Sequence, residues 1–309
     1  LAAAAPRLIA VVGPTAAGKS ALALRLALAR RGEIVSCDSL QVFRGLDVGS
    51  AKATPQERAA VPHHLLDVVE PDAPFSAADY GRLARLALGE IRGRGHLAIV
   101  AGGTGLYLRA LLQGLFEGPS RDPALRQRLH GLAERYGDVR LHRALARVDP
   151  EAARRIAPRD RLRVVRALEV YRVTRRPISE QQRGGARPLA GWATLVLGLD
   201  PGRETLRRAM ERRTRQMMER GLLGEVRGLI SRFPPTLRPL QAIGYRQALA
   251  VVQGRSDAAT AERDIVAASM RYAKRQMTWF RHQTQVHWCP DGERAFAVAT
   301  AWLDGLASV

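Results

Sequence analysis

The sequence predicts an α/β protein with a mostly parallel, doubly wound sheet, and three observations predict it. Short apolar runs recur at residues 8–12, 34–37, 97–101 and 195–199, with a weaker one at 286–288. Most are continuous rather than alternating, the mark of strands buried on both faces. Between them lie stretches with helical apolar spacing, and strands separated by helices specify parallel pairing. The first run leads straight into Gly13-Pro14-Thr15-Ala16-Ala17-Gly18-Lys19-Ser20 and then a helix-like stretch at 21–29, a strand–loop–helix unit.

That loop follows the pattern G-x-x-x-x-G-K-[ST], a phosphate cradle. Its glycines let the backbone close on an anion, and free N–H groups at the next helix start supply positive potential. Lys19 adds a point charge, and Ser20 offers a hydroxyl to a magnesium ion. The loop specifies a polyphosphate or pyrophosphate; it does not by itself specify a nucleotide. The second apolar run leads into Asp38-Ser39-Leu40-Gln41 and the third into Gly102-Gly103-Thr104-Gly105. In an open α/β sheet ligands bind outside the carboxyl ends of the strands, so cradle, acid and hydroxyl are expected in one crevice. Asp38 alone also reads as a helix N-cap; its company favours chemistry. The strand ending in Ala101-Gly102-Gly103 lacks the acid that holds magnesium in ATP-using enzymes with this loop. Asp200, after the run 195–199, reads as an N-cap before Pro201. Asp38 is then the main acid near the phosphates, suited to act as a base.

Further along, Thr54-Pro55-Gln56-Glu57 forms a capping box with proline at the first helical position, and Ser76 starts another helix in a similar way. Residues 121–187 differ in character: they hold 18 arginines and no lysine against 8 acidic residues, about half the net charge of +20. Asp122-Pro123 and Asp149-Pro150-Glu151 look like helix starts there, and Leu162, Val165, Leu168 and Val173 have helical spacing. The segment 120–191 is expected as a helical insertion, with 1–119 and 192–309 forming the core. Helical stretches at 205–223 and 261–280 follow, their methionines read as core packing.

The charge calls for either a polyanionic partner or a solvated arginine-rich surface; composition leaves both open. Cys37 and Cys289 make no disulfide framework or metal spacing, and Cys37 reads as a small buried strand residue. Adjacent His63 and His64 cannot both face one metal from a regular element, so packing or a hydrogen bond is expected of them. No apolar run approaches the roughly 20 residues of a membrane span. The apolar start at 1–5 stops at Pro6-Arg7 without a charged leading region, so no signal peptide is expected.

Taken together, several motifs resemble the bacterial tRNA dimethylallyltransferase family. They are Gly13 to Ser20, the run from Asp38-Ser39-Leu40-Gln41 through Gly49-Ser50-Ala51-Lys52, Pro62-His63-His64-Leu65-Leu66-Asp67 and Ala101-Gly102-Gly103-Thr104-Gly105-Leu106-Tyr107. Arg166-Ala167-Leu168-Glu169-Val170, Ala242-Ile243-Gly244-Tyr245-Arg246 and Ala273-Lys274-Arg275-Gln276-Met277-Thr278-Trp279-Phe280 agree as well. The resemblance implies a P-loop NTPase-like core with a helical insertion that binds tRNA. It implies transfer of the dimethylallyl group of dimethylallyl diphosphate to N6 of the adenosine 3′-adjacent to the anticodon of certain tRNAs, with Mg2+.

By the same resemblance, Gly13, Pro14, Thr15, Ala16, Ala17, Gly18, Lys19 and Ser20 hold the diphosphate, with Ser20 assisting the metal. Asp38 takes the N6 proton, and Thr104 and Arg213 meet the diphosphate or leaving oxygen. Asp38, Ser39, Leu40, Gln41 and Thr104 line the base pocket, while Arg126, Leu162, Arg163, Val164, Val165 and Arg166 contact the tRNA stem-loop. The run 241–247 is implied to face RNA too. Four positions depart from the family pattern: Phe43 for tyrosine, Ser50 for threonine, Ala209 for arginine and Arg175 for glycine. A cytoplasmic monomer is expected. The competing readings are an adenylate isopentenyltransferase acting on free nucleotide, an ATP-using P-loop kinase, and a basic RNA-binding protein with a degenerate nucleotide site.

Overall fold

The computed structural model describes residues 5–116 and 118–306, so residues 1–4 of the apolar start lie outside the described residues. The chain divides into two compact units, Leu1–Leu111 with Leu189–Val309, and Leu112–Pro188. The second unit starts where a core helix ends and closes just before the strand that re-enters the sheet. Among the described residues no helix is long and apolar enough to cross a membrane.

The first unit holds six strands: β1 (Arg7–Val12), β2 (Gly32–Ser36), β3 (His63–His64), β4 (Leu97–Ala101), β5 (Ala193–Leu199) and β6 (His287–Cys289). They form one sheet in the order β3-β2-β4-β1-β5-β6, and every pair is parallel. β1 is central, with Leu8, Ile9, Ala10 and Val11 fully buried between β4 and β5. The chain leaves β1 toward β2 on one side and comes back to β5 on the other. β1 is therefore the switch point, and the loops leaving β1, β2 and β4 open on one crevice. The helices before the insertion are α1 (Lys19–Arg30), α2 (Pro55–Ala60), α3 (Ala77–Gly93) and α4 (Gly105–Leu112). Both expected capping boxes form, Thr54 with Glu57 and Ser76 with Asp79.

The second unit is helical: α5 (Pro123–Tyr136), α6 (Asp138–Val148), α7 (Pro150–Arg155), α8 (Arg161–Thr174) and α9 (Ile178–Gly184). Asp122 and Asp149 cap α5 and α7, as their sequence suggests. Its core gathers Leu129, Leu141, Leu145, Val164, Val165 and Leu168. Back in the first unit come α10 (Arg203–Glu219), α11 (Leu222–Ile230), α12 (Tyr245–Val252), α13 (Ala258–Gln283) and α14 (Gly292–Leu303). α10 and α13 pack through Leu206, Met210 and Ala273, with Ala16 and Ala17 of the phosphate loop against them, so the methionine is core packing.

β3 has no sequence signal because it is two residues long, and it places the two histidines in different roles. His63 Nδ1 lies 2.7 Å from the Val61 carbonyl oxygen, and His64 Nε2 lies 2.6 Å from the Glu33 carboxylate. Glu33, at the amino end of β2 and almost fully buried, also receives two hydrogen bonds from Arg94, at 2.7 and 2.8 Å, and contacts His96 at 2.8 Å. The Arg94 hydrogen bonds, helped by those from His64 and His96, outweigh desolvation and hold its pKa at about 2. This cluster ties β2, β3 and the start of β4 together at the sheet end remote from the crevice.

Two stability predictions come from these elements. Glu33 is depressed below the ordinary carboxylate value of 4.5, so its contribution is complete above that value and lost as pH falls toward 2. Glu33→Gln should cost about 3 kcal/mol at neutral pH and flatten acid destabilisation across that window, read by urea unfolding at several pH values. Arg175 ends α8 in the left-handed region, φ 59°, where the family pattern has glycine. Its side chain is exposed, so Arg175→Gly should stabilise the protein by about 1 kcal/mol in the same assay.

Candidate active site at the carboxyl ends of the strands

The phosphate loop leaves β1 at Gly13, whose φ is +134°; a Cβ there would fall 2.7 Å from the Leu199 carbonyl oxygen of β5. Only glycine lets the loop pass so close to the neighbouring strand. Gly18, also left-handed, caps α1 without a side-chain hydrogen bond, and the first turn of α1 has no acid. Its N–H groups face a place for an anion instead of a capping oxygen. Ala16 is held at φ 64°, strain concentrated in the cradle itself. Lys19 Nζ folds back and donates to the Pro14 carbonyl at 2.6 Å. Burial, and then the nearby Arg213, pull its pKa down to about 8, with Asp38 and Cys37 opposing.

Arg213 reaches in from α10, donating to Thr15 Oγ1 at 3.3 Å and to the Ser50 carbonyl at 3.4 Å. Burial lowers its pKa too, while Asp38 favours its charge. Asp38 follows β2, and its Oδ1 accepts the Leu40 N–H at 2.8 Å. This is a local turn, not a helix cap. Thr104, between β4 and α4, accepts the Ser39 N–H on Oγ1 at 3.1 Å and donates its own N–H to the Cys37 carbonyl at 3.1 Å. The acid loop and the hydroxyl loop are thus tied to each other. Gln41 accepts from Ser36 Oγ at 2.7 Å and donates to the Ser50 and Ala51 carbonyls. Burial pushes the Cys37 thiol up to about 12, consistent with a packing residue rather than a nucleophile.

The structural part played by several members of the site's scaffold is not legible in the sequence, because their partners lie far away in the chain. Glu225, on α11, accepts the N–H groups of Asp47, Val48 and Gly49 at 2.6 to 3.1 Å. It also accepts the Tyr245 hydroxyl at 2.7 Å. Lys52 buries its ammonium against Asp47 and Asp67, each at 2.6 Å. These contacts fix the loop that presents Ser50 to Arg213. Tyr245 is fully buried and Gln247 nearly so, the latter accepting the Gly244 N–H. In the run 241–247, Gln241 and Arg246 are exposed. Tyr272 and Gln276 on α13 approach the same crevice; burial first, and then the charge of Asp38, push the Tyr272 phenol up to about 12.

Asp200 is not a helix cap. Gly202 caps α10, and the Asp200 carboxylate instead receives Arg281 at 2.8 Å. No group of three or more His, Cys, Asp or Glu able to hold a metal occurs among the described residues. The Ser20 hydroxyl is exposed in the first turn of α1, so a magnesium ion there would be completed by phosphate oxygens and water, its usual mode. The donor set fits an ion that arrives with a diphosphate.

In the helical unit, Arg126 and Arg166 converge on Glu169, which is fully buried. Arg126 binds it in bidentate fashion at 2.7 and 2.8 Å, and Arg166 at 2.7 Å. Burial would raise the Glu169 pKa, but the two guanidiniums and the Asp122 N–H bring it to about 2. Leu162 is 74% exposed and Arg163 is exposed, whereas Val164 and Val165 are buried. Direct RNA contact by the two valine side chains is closed, because they face the unit's own core.

A parallel sheet whose switch-point loop has the phosphate-cradle pattern, with Lys19, Arg213 and Asp38 brought together beside it, is the architecture of a group-transfer enzyme. Residues 41–283 match the family model "IPP transferase", and residues 6–70 match "Isopentenyl transferase". The chain is 48% identical over 283 residues to tRNA dimethylallyltransferase 2 of Geotalea uraniireducens, covering 91% of each. It is 49% identical over 298 residues to the tRNA dimethylallyltransferase of Anaeromyxobacter sp. strain K, covering 96% of this chain and 97% of that one. Among solved structures, the tRNA isopentenylpyrophosphate transferase of Bacillus halodurans is 36% identical with a TM-score of 0.70, covering 97% of this chain and 96% of that chain. A eukaryotic dimethylallyltransferase acting on tRNA shares the fold with a TM-score of 0.77 at 24% identity, covering 98% and 80%. The chain belongs to the IPP transferase family.

The Lys19 environment sets a pH dependence. Its pKa is about 8, so the ammonium is complete well below that pH and lost above it. Calorimetric affinity for inorganic pyrophosphate should weaken as pH rises through about 8, steepest at tenfold per pH unit for this one proton. Lys19→Arg, whose guanidinium does not titrate there, should lack that step.

Proposed function

We propose that this chain is a tRNA dimethylallyltransferase. It transfers the dimethylallyl group from dimethylallyl diphosphate to N6 of the adenosine 3′-adjacent to the anticodon, giving N6-isopentenyladenosine and diphosphate. The observation that carries this reading is the meeting of Lys19, Arg213 and the loop amides with one acid, Asp38, at the sheet's switch point. The donor's diphosphate lies in the cradle of residues 13–20, its charge met by Lys19 and Arg213. The N6 lone pair attacks the allylic carbon, and the bond from that carbon to the diphosphate oxygen breaks. The N6 proton passes to the Asp38 carboxylate. Exocyclic adenine nitrogen is a weak nucleophile, so orientation by the 38–41 loop and proton removal both lower the barrier. Charge developing on the leaving diphosphate is met by preorganised donors, Arg213 and Thr104 among them. A magnesium ion held with the diphosphate at Ser20 would neutralise further charge.

The acceptor has to leave its stack to reach this crevice. The arginine-rich helical unit grips the stem-loop backbone, with exposed Arg163 in contact and the Arg126–Glu169–Arg166 cluster shaping the surface. The enzyme acts as a cytoplasmic monomer. The test is mass spectrometry of nucleosides from an anticodon stem-loop incubated with the protein, dimethylallyl diphosphate and magnesium. A prenyl adduct on adenosine is expected; its absence, or preferential modification of AMP in competition, would contradict the reading. Asp38→Ala should bind the donor within about threefold of wild type and lose at least about 100-fold in transfer.

A further inference from the structure

Helix α13 touches the hydroxyl loop with three side chains at successive turns of one face. Tyr272 brings its phenol close to the Thr104 side chain. Gln276 Nε2 donates to the Gly103 carbonyl at 2.8 Å. Trp279 packs on Gly105 so closely that a Cβ there would lie 2.3 Å from its ring. The spacing i, i+4, i+7 is what puts them on a common stripe. Gln276 alone also reaches the phosphate loop: its Oε1 accepts the Thr15 N–H at 2.9 Å. The side chain is almost fully buried.

The two partners dictate the residue type. One is an N–H and the other a C=O, and they lie on opposite sides of one small group. A primary amide answers both at once, and its orientation is fixed by them. The room it needs comes from Gly103, where a Cβ would fall 2.2 Å from Gln276 Nε2. The bridge also spends the Thr15 amide, so that N–H serves the loop's position and not the phosphate. From Gly103 the connection runs one residue to Thr104, whose Oγ1 holds the Ser39 N–H beside Asp38.

We propose that Gln276 is a positioning residue that sets the separation between the diphosphate cradle and the Asp38–Thr104 pair. It touches no substrate; it fixes how far the departing diphosphate stands from the base. The inference rests on the prenyl-transfer reading above. A part that holds two loops in register acts on the reacting geometry, so it shows in kcat more than in donor affinity.

The test uses the full chain and wild-type stem-loop prenylation as the reference. A wild type that fails to prenylate would overturn the functional reading and, with it, the inference; an active wild type makes the variants informative about Gln276 alone. Gln276→Met keeps the length but removes both hydrogen bonds, and should lower kcat about 30-fold with donor KM within threefold. Gln276→Glu adds a pH signature. As a carboxylate it repels the Gly103 oxygen; once protonated, its O–H donates there while its other oxygen accepts from Thr15. Its kcat relative to wild type should therefore rise at least fivefold as pH falls from 9 to 6, with urea midpoints showing both variants folded across that range. A kcat for Gln276→Met within twofold of wild type would overturn the proposal. So would a flat pH ratio for Gln276→Glu, or losses that track only the folded fraction.

Discussion

Two cations and one acid share a half-buried space at the ends of three parallel strands, and most of the site's construction serves that arrangement. Burial lowers the pKa of both Lys19 and Arg213, and each lies close enough to the other or to Asp38 to feel its charge. Without an anion the pair is uncomfortable: one carboxylate faces two buried positive groups. A diphosphate placed in the cradle would remove that imbalance and raise the lysine's pKa again. On the proposed prenyl-transfer function, binding energy for the donor is stored in the free protein as unsatisfied positive charge, and the leaving group is met where its charge grows.

The groups that hold this arrangement open are mostly not charged and not near the substrate in sequence. Leu199 forces glycine at the start of the cradle. Glu225 gathers three consecutive amides of the 47–49 segment, and Tyr245 completes it, so the loop behind Arg213 cannot drift. Thr104 and Ser39 tie the loops of two adjacent strands. The parallel sheet makes such cross-ties possible because all the loops that matter emerge on one side. At the opposite edge, Glu33 and its basic partners provide a purely structural counterpart.

Much of this was legible in the residues because it is local. The phosphate loop, the two capping boxes and the caps at Asp122 and Asp149 each lie within a few positions, and the continuous apolar runs located five of the six strands within two residues at each end. What was not legible is long-range or too short to carry a period. β3 is two residues, below any pattern length. Glu225 and Tyr272 sit on helices whose sequence reads as ordinary amphipathic surface, and Gln276 is marked only as part of a motif; the fold brings all three to the crevice. Asp200 precedes a Pro-Gly and resembles a cap, yet Arg281, 81 positions away, takes its carboxylate. Val164 and Val165 lie in a motif associated with RNA, but their spacing is that of a core face, and the core is where they are.

The central claim is that residues 13–20 hold a leaving-group pyrophosphate and not the tail of a nucleotide. It is tested most directly by titrating the protein calorimetrically with dimethylallyl diphosphate and with ATP, each with magnesium, and following phosphate release alongside. The account predicts saturable binding of dimethylallyl diphosphate that is lost in Lys19→Ala, with ATP competing weakly and remaining intact. Tighter binding of ATP accompanied by γ-phosphate release would contradict it.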